Sequence, residues 1–421
     1  MPGEGPILKR ILEKHGIYYG WTMVILALVV MAVCFGISHN CFTLYIIPVT
    51  EKFGWQRKTF SIGLTLMYIM QMAGSVLTGR IYRKLKVLGI MKIAVLIQPA
   101  AYFLLSFARH LPVFYLLFII IGACCPFLCF QAFTVIIANW FEEKRGLVTG
   151  IAFMGSGLGG MFFNALGGVL IEKMGYAAVY RIYGIVIAAV AIPIVWFLLK
   201  EKPADCGLLP YGEKPGADGR FFHEQIYGSS WAEALRSKNL YLLLYSALAI
   251  GFATSVLSSS IVTNVSDCGY TATYAALVNA VYLGGVSLGK ILLGEMFDRL
   301  GMKKALVIAL VMLGVGLAGM YFASLRAMHL MIVIGASVGC AAGTVAFPLM
   351  TQAVFGNRDY TALAGLLMAV GNLGACIAPF FGNAVFDTTG SYRMAYLAAG
   401  IVTALTVLSS LVVKTMKKPE A

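Results

Sequence analysis

Apolar runs, each about as long as a membrane-spanning helix, follow one another along almost the whole chain. About 20 mostly apolar residues are needed to cross roughly 30 Å of hydrocarbon. Short polar turns separate most of these runs from one another. The pattern predicts twelve transmembrane helices, at 20–47, 59–82, 88–108, 112–140, 145–172, 176–199, 239–265, 272–297, 302–324, 328–355, 361–387 and 392–415.

One long polar interruption divides the predicted spans into two groups of six. Residues 200–238 are rich in proline, glycine and charge, which is typical of a linker. Within this linker Ser230 precedes Glu233 by three residues, a capping-box signature that predicts a short amphipathic helix along the membrane surface. We therefore expect an N-terminal half at 1–199, a linker at 200–238 and a C-terminal half at 239–421.

The two groups of spans repeat one pattern. A shift of 215 residues superimposes most of both halves without a gap, placing Cys125 on Cys340 and Gly159 on Gly374, with seven further glycine pairs. Internal repeats in a membrane protein are typical of transporters whose halves rock about a site near the midplane. The predicted fold is an all-α membrane protein of twelve transmembrane helices in two pseudo-symmetric halves of six helices each.

Composition and charge narrow the possible functions. Charged residues make up 12% of the chain, about half of the roughly 25% found in soluble proteins. The net charge is +14, but the basic residues lie between apolar runs and form no patch, so nucleic acid is not an expected partner. Most of them fall on the side of the N-terminus, which predicts cytoplasmic termini and a multi-pass protein of the cytoplasmic (inner) membrane.

No enzyme motif is recognisable in the sequence. The nine cysteines lie mostly within apolar runs and are interpreted as small buried hydrophobic residues. A nucleotide-binding loop, a metal-ligand cluster and a nucleophile with its base are all missing, so neither a cofactor nor a metal is expected. We expect a monomeric protein in the lipid bilayer that is not an enzyme.

One lysine interrupts the apolar pattern of the eighth predicted span. Lys290 lies in GGVSLGKILLGEMFDRLG at 284–301, and its counterpart in the first half is Ser75, so the repeat itself does not require a charge. A lysine near the membrane centre costs about 2.5–3.5 kcal/mol on insertion scales and usually faces a cavity. The alternative is snorkelling to the inner surface, but Asp298, which marks that edge, is roughly 12 Å of helical rise away.

A cation in a membrane cavity needs a partner. The apolar spans offer almost no acid to Lys290, because Glu295 lies five residues further on and on another face of the helix. An anionic substrate is therefore the favoured partner. The compact charge of an ammonium suits a small carboxylate.

Several motifs carry a family resemblance. Residues 294–303 read GEMFDRLGMK, and the equivalent segment GRIYRKLK at 79–86 has Arg83 where an acid is usual. These signatures resemble those of the major facilitator superfamily. Within it the chain resembles the oxalate/formate antiporter and monocarboxylate transporter group, through YYGW at 18–21, IIPVTEKFGWQRKTFS at 46–61, NWFEEKRGLVTGIAFMGSGLGG at 139–160 and GLLPYGE at 207–213.

The resemblance implies roles for individual residues. A basic residue four positions before the signature glycine binds the substrate carboxylate in that group, and here this residue is Lys290. Val286 stands where monocarboxylate members have an acid for proton coupling, and Asn40 aligns with their first-span lysine. Asn372 is the nearest polar candidate for the second cation of the oxalate antiporter. One cation instead of two argues against a dianion such as oxalate.

Further polar residues are candidates, each with a structural alternative. His39 is a proton-coupling candidate or a packing histidine, and Gln131 lines the substrate cavity or joins two helices by hydrogen bonds. Tyr282 offers its hydroxyl to a carboxylate or packs between helices. The resemblance implies that Asp298 and Arg299 gate the transporter, and we expect Asp298 to contact the start of the eleventh span.

We expect a secondary active transporter of a small organic anion, with a monocarboxylate favoured, that works by alternating access with proton coupling. The missing acid at Val286 keeps carboxylate exchange without protons as a strong rival. The sequence also allows a non-transporting membrane sensor or a carrier of neutral solutes.

Overall fold

Helices form nearly all the regular structure. The computed structural model of the chain describes residues 18–212 and 227–416, and within these ranges the only other regular features are two isolated β-bridges. The α-helices are Gly20–Phe35, Ile46–Phe53, Arg57–Lys84, Val87–Leu104, Leu111–Leu128, Phe130–Trp140, Arg145–Met174, Tyr176–Pro193, Trp231–Arg236, Lys238–Asp267, Ala272–Tyr321, Met328–Phe355, Tyr360–Thr389 and Arg393–Val412.

The described helices contain twelve spans, which are numbered below in chain order. Eleven helical segments are long and apolar enough to cross a membrane, and one of them, Leu277–Tyr321, holds two spans. Gly301 divides this segment, with φ 76° and ψ 166°. This conformation is almost restricted to glycine, because a Cβ atom would clash with the backbone. The predicted fold of twelve transmembrane helices is confirmed.

The first span is not the continuous helix predicted at 20–47. Its α-helix ends at Phe35 and continues as a π-helical turn, Gly36–Asn40, before a 3₁₀ turn. A Cβ atom on Gly36 would lie 2.8 Å from the backbone of Gly159, so the turn packs directly on the fifth span. π-Helical turns are rare and often occur at functional sites. This one positions the polar residues at 38–40.

The internal repeat appears as equivalent helix packing in the two halves. Gly159 of the fifth span lies against Ala32 of the first span, where an added Cβ atom would be 2.1 Å from the carbonyl oxygen. Its counterpart Gly374, in the eleventh span, lies against Leu248 of the seventh span, with a corresponding distance of 2.2 Å. Both pairs of helices approach closely because glycine has no side chain. The predicted pseudo-symmetry is therefore visible in the contacts.

The described parts of the linker attach to equivalent loops. Tyr211 forms a β-bridge with Phe141, between the fourth and fifth spans, and Gly228 forms one with Gly356, between the tenth and eleventh spans. Phe141 and Gly356 are equivalent under the 215-residue repeat. The end of the helix bundle that carries these bridges is called the linker end below.

The short linker helix has the predicted start. Trp231–Arg236 is helical, the Glu233 N–H donates to Ser230 Oγ at 3.3 Å, and the Ser230 N–H donates to Glu233 Oε2 at 2.8 Å. These reciprocal bonds form the capping box. Its position along the membrane surface stays a prediction, and residues 213–226 of the linker lie outside the described part of the chain.

Candidate functional site

A cavity of about 750 Å³ lies between the two halves. Its volume falls in the range of small-molecule binding sites, roughly 300–1,000 Å³. Its wall combines apolar side chains with hydroxyl and carboxamide groups. The polar residues of the wall are Asn40, Tyr68, Gln71, Gln131, Ser156, Asn164, Thr254, Ser255, Ser258, Asn279, Tyr282, Lys290, Thr344 and Asn372.

Lys290 lines this cavity and bridges the two halves. Its ammonium donates to Ser156 Oγ at 2.7 Å and to the Phe153 carbonyl oxygen at 3.2 Å, both on the fifth span. It also lies 5.9 Å from the centre of the Phe130 ring. Only 5% of the residue is exposed. The side chain thus points into the protein centre, as expected for a cavity cation, and does not extend toward the linker end.

The ammonium has no acidic neighbour in the cavity. Among the described residues of the cavity wall, Lys290 is the only one with a charged side chain. Its two hydrogen-bond acceptors are uncharged oxygens, which satisfy two hydrogens without neutralising the charge. A buried charge of this kind is costly unless an opposite charge pairs with it.

Glycines bring the fifth and eighth spans close enough for these bonds. A Cβ atom on Gly150 would lie 2.2 Å from the Lys290 carbonyl oxygen, and one on Gly157 would lie 2.2 Å from Ser287 Oγ. The two helices therefore pack backbone against backbone. Since helical side chains tilt toward the N-terminus of their own helix, the lysine extends away from the linker end to reach Ser156.

Asn40 is held beside the lysine site by the same serine. Its Nδ2 donates to the Ser156 carbonyl oxygen at 2.8 Å, while Asn164 Nδ2 donates to the Asn40 carbonyl oxygen at 3.1 Å. The π-helical turn of the first span provides this position. Asn40 therefore lines the cavity, and its predicted contact with a substrate stays a prediction.

His39 lies one side chain behind the cavity wall. Its Nε2 is 2.8 Å from Gln71 Oε1, and its ring stacks on Phe35 with centroids 4.5 Å apart. Gln71 and Phe35 line the cavity, whereas His39 does not. The histidine is thus buried and linked to the cavity through an amide, and its role in proton coupling stays a prediction.

The other predicted binding residues all line the cavity. Gln131 donates its amide N–H to Ser75 Oγ, so it also serves as a bond between the second and fourth spans. Tyr282, 4% exposed, and Asn372 belong to the wall formed by the second half. Their contact with a substrate stays a prediction.

Sequence reasoning missed Ser156, Gln71, Tyr68 and Asn279. Ser156 stands within GSGLGG at 155–160, which favours helix packing and conceals a hydrogen-bond acceptor. The other three are isolated polar residues in apolar spans. The signal that could have identified them is their position deep in a predicted span, because a polar group there needs a partner or water.

The prediction that Asp298 contacts the eleventh span is wrong. Asp298 Oδ1 and Oδ2 accept the N–H groups of Gly146 and Leu147 at 2.8 Å each, at the start of the fifth span. The pseudo-symmetry pairs the eighth span with the fifth and the second span with the eleventh. Arg83, the counterpart of Asp298, is the residue that faces the eleventh span, 4.0 Å from Asp359.

Arg299 pairs with its own helix. Its Nε forms an ion pair with Glu295 one turn earlier, and 77% of its side chain is exposed. A gating role for Arg299 therefore stays a prediction.

The halves close against each other at the linker end. A Cβ atom on Gly146 would lie 2.1 Å from the Gly294 carbonyl oxygen, and one on Gly79 would lie 2.4 Å from Ala362 Cα. From Lys290 the cavity extends in the opposite direction, as far as Asn164 and Asn279. The structure thus shows a site that is closed toward the linker.

Twelve spans in two equivalent halves around a central cavity define a membrane transporter. The Major Facilitator Superfamily model matches residues 26–271 and 243–421. The chain belongs to the major facilitator superfamily and is a multi-pass membrane transporter, not an enzyme.

Relatives and solved structures agree with this family. The chain is 21% identical over 406 residues to the uncharacterized MFS-type transporter YcxA of Bacillus subtilis, covering 92% of this chain and 94% of the relative. It is 21% identical over 411 residues to monocarboxylate transporter 12 of Homo sapiens, covering 91% and 78%. The transporter FucP in the outward conformation shares the fold, with a TM-score of 0.70 at 13% identity over 94% of this chain and 99% of that one.

Proposed function

We propose that the protein is a secondary transporter that moves a small organic monoanion by alternating access. A monocarboxylate is the favoured class of monoanion. The observation that carries this proposal is the buried ammonium of Lys290, which faces the cavity with no acid beside it in the described wall. A substrate carboxylate supplies the missing charge. Similarity to proteins named monocarboxylate transporters supports the same class.

Charge pairing gives the substrate a way to drive the conformational change. An unpaired ammonium resists removal from water, whereas an ammonium paired with a carboxylate is far less costly to bury. The substrate thus binds more tightly to the closed cavity than to the open one, and only such a difference in affinity can shift the two states. A single cation neutralises one negative charge, which favours a monoanion over a dianion.

Two coupling modes follow from different observations. His39 is hydrogen-bonded to the cavity residue Gln71 and supports proton-coupled transport, with a proton carried beside the anion. The second candidate is carboxylate exchange without protons. It is favoured because no Asp or Glu side chain lies in the described cavity wall to carry a proton.

Uptake into proteoliposomes tests the proposal. Labelled lactate, pyruvate and gluconate, with oxalate as the dianion, are supplied to the wild type and to Lys290→Gln, with and without an imposed pH gradient. We expect monoanion uptake by the wild type and at least a tenfold loss in Lys290→Gln. Stimulation by an inward proton gradient indicates symport, whereas stimulation only by internal anion indicates exchange.

A second lysine provides the matched control. Lys92, on the third span, lies 5.4 Å from the Trp196 ring centre and away from the cavity. Lys92→Gln also removes one membrane lysine and should retain uptake. Equal uptake of every anion by the wild type and Lys290→Gln would contradict the anion site.

The proposal also fixes an orientation. The linker and both termini lie in the cytoplasm, because most Lys and Arg residues fall on that side. The halves at 1–199 and 239–421 then move against each other while the linker at 200–238 joins them. Labelling of a cysteine introduced at the linker end in intact cells tests the orientation; reaction with an impermeant reagent from outside would reverse it.

A further inference from the structure

We propose that the substrate carries hydroxyl groups in addition to its carboxylate, as a hydroxylated monocarboxylate of about four to six carbons does. This inference rests on the proposed function and narrows its substrate class. It is carried by a group of carboxamide side chains around Lys290, called the amide collar below: Asn40, Gln71, Gln131 and Asn372.

Two collar residues, Asn40 and Gln131, keep an oxygen free for a ligand. Asn40 uses its NH₂ group on the Ser156 carbonyl oxygen, which can only accept, so the orientation of the amide is fixed. Gln131 uses its NH₂ group on Ser75 Oγ, whose own hydrogen goes to a backbone carbonyl. Each amide therefore presents an acceptor oxygen that still lacks a donor.

The other two collar residues add donors. The oxygen of Gln71 is paired with His39, which leaves the Gln71 NH₂ group available. Within the described residues, the carboxamide of Asn372 has no hydrogen-bond partner, and it lines the cavity from the eleventh span. The collar thus offers acceptors and donors together.

A carboxylate alone does not satisfy this arrangement. An ionised carboxylate only accepts hydrogen bonds, so it pairs with the ammonium and with NH₂ groups but cannot serve the free oxygens of Asn40 and Gln131. A hydroxyl group donates one bond and accepts others. Closing the cavity around a plain hydrocarbon acid would leave buried amide groups unpaired, and sites built for hydroxyls reject analogues that lack them.

The spacing of the collar sets the approximate length of the ligand. Gln131 and Met368 both border a smaller void next to the cavity, so they lie at one level of the bundle. Asn372 lies four residues beyond Met368, or roughly 6 Å of helical rise toward the opposite end of the cavity. A carbon chain that reaches from the level of Gln131 to Asn372 covers this rise with about four to six carbons.

Binding of matched acids to the purified full-length protein, measured by titration calorimetry, tests the inference. Gluconate and hexanoate share a six-carbon skeleton, erythronate and butyrate share a four-carbon one, and sorbitol has hydroxyls without a carboxylate. We expect each hydroxylated acid to bind at least tenfold more tightly than its plain partner. Sorbitol should bind at least tenfold more weakly than gluconate.

Variants locate the preference in the collar. Asn372→Leu should reduce the ratio of gluconate to hexanoate affinity to below threefold, and Asn372→Ala provides a smaller replacement with the same expectation. Asn383→Leu changes an asparagine of the same helix that lies outside the cavity wall and should keep the ratio. The wild-type acid series stands even where a variant fails to fold.

The outcomes separate this inference from the proposed function. Plain acids that bind as tightly as their hydroxylated partners would overturn the hydroxyl preference and leave the anion site intact. Sorbitol that binds as tightly as gluconate, unaffected by Lys290→Gln, would overturn the anion site itself. If none of the four acids binds, the inference is overturned as well.

Discussion

The two halves share one helical plan but differ at two pairs of equivalent positions. In the first half Ser75 is fully buried and takes part in hydrogen bonds with Gln71 and Gln131, so it holds helices together. In the second half Lys290 occupies the same place and reaches across the interface of the two halves to Ser156 of the fifth span. The comparison shows that duplicated helices can keep a symmetric arrangement while one difference, a lysine in place of a serine, gives only the second half a positive charge in the cavity.

The second pair lies at the linker end. Asp298 accepts two backbone N–H groups at the start of the fifth span, where the helix dipole favours a negative charge. Its counterpart Arg83 is 4.0 Å from Asp359, with 59% of its side chain exposed. Glycine packing brings both pairs of helices together, but the charged contact is firm between the fifth and eighth spans and weak between the second and eleventh.

The largest expected effect comes from replacing Lys290 with serine, the residue found at the equivalent position, Ser75, in the first half. Lys290→Ser removes the ammonium, and anion uptake should fall by at least tenfold because no other charged side chain lies in the described cavity wall. Lys290→Arg keeps a cation and should retain anion binding, although its guanidinium has a different shape. Binding and uptake by both variants measure this difference; retained uptake in Lys290→Ser would show that the halves do not differ in this way.

Next in size is the loss of close packing at the firm contact. Gly146→Val places a side chain against the Gly294 carbonyl, so the linker end cannot close and uptake should fall about tenfold, as expected for a buried clash of 1–3 kcal/mol. Thr134 is buried beside the smaller void that Gln131 borders, so labelling of Thr134→Cys from the linker side, in a cysteine-free background, should increase. Gly89→Val is the control, since no atom lies within 4 Å of its added Cβ.

A smaller difference should separate the two charged contacts. Asp298→Asn weakens an interaction with a helix N-terminus worth about 1 kcal/mol, and should shift the two states roughly fivefold toward opening at the linker end. Arg83→Gln breaks an exposed ion pair, where about 0.5 kcal/mol or less is at stake, and should change the balance less than about twofold. The Thr134→Cys labelling rate reports both shifts. Equal changes in the labelling rate for Asp298→Asn and Arg83→Gln would contradict the conclusion that the first contact is firm and the second weak.

The smallest effect concerns the two described segments of the linker, residues 200–212 (the first arm) and 227–238 (the second arm). In the second arm, the hydrogen bond from the Ser230 backbone holds the pKa of Glu233 below its usual range. A lowered folded-state pKa means that the capping box stabilises the helix above the ordinary glutamate pKa and is lost as the pH falls through the lowered value. Hydrogen exchange should show protection of the Ser230 N–H that weakens in acid and is absent in Glu233→Ala, which has no acceptor at this position.

The first arm is the internal reference for that measurement. It has its own capping pair, in which the Lys202 N–H donates to Asp205 Oδ2 at 3.1 Å. Glu233→Ala should leave protection at Lys202 unchanged, and transport should be unaffected. A loss of protection in both arms would indicate that they are coupled.

The spans, the repeat and the cavity lysine could be predicted because each depends on a strong energetic rule. Apolar length follows from membrane thickness, and an unpaired lysine in a span is too costly to be incidental. The π-helical turn in the first span was not predictable, since it depends on the packing of Gly36 against the backbone of Gly159 in another helix. The hydrogen bonds of Ser156 depend on a helix from the other half, which local sequence does not specify.

The error at Asp298 has a related cause. A sequence repeat identifies which helices are equivalent but not which helices touch across the symmetry axis. The motif indicated a helix N-terminus as the partner of the carboxylate, which is correct. The choice between the fifth and eleventh spans required the arrangement of the halves in space.

The glycine contacts of the fifth span have a consequence for the speed of transport. Gly146, Gly150 and Gly157 face the eighth span with no side chain to interlock with it. Helices that pack through ridges and grooves must disengage side chains in order to turn past each other. Here few side chains must disengage when one helix turns on the other, so we expect the barrier to depend on a small set of hydrogen bonds: those of Lys290 with Ser156 and Phe153, and those of Asp298 at the start of the fifth span.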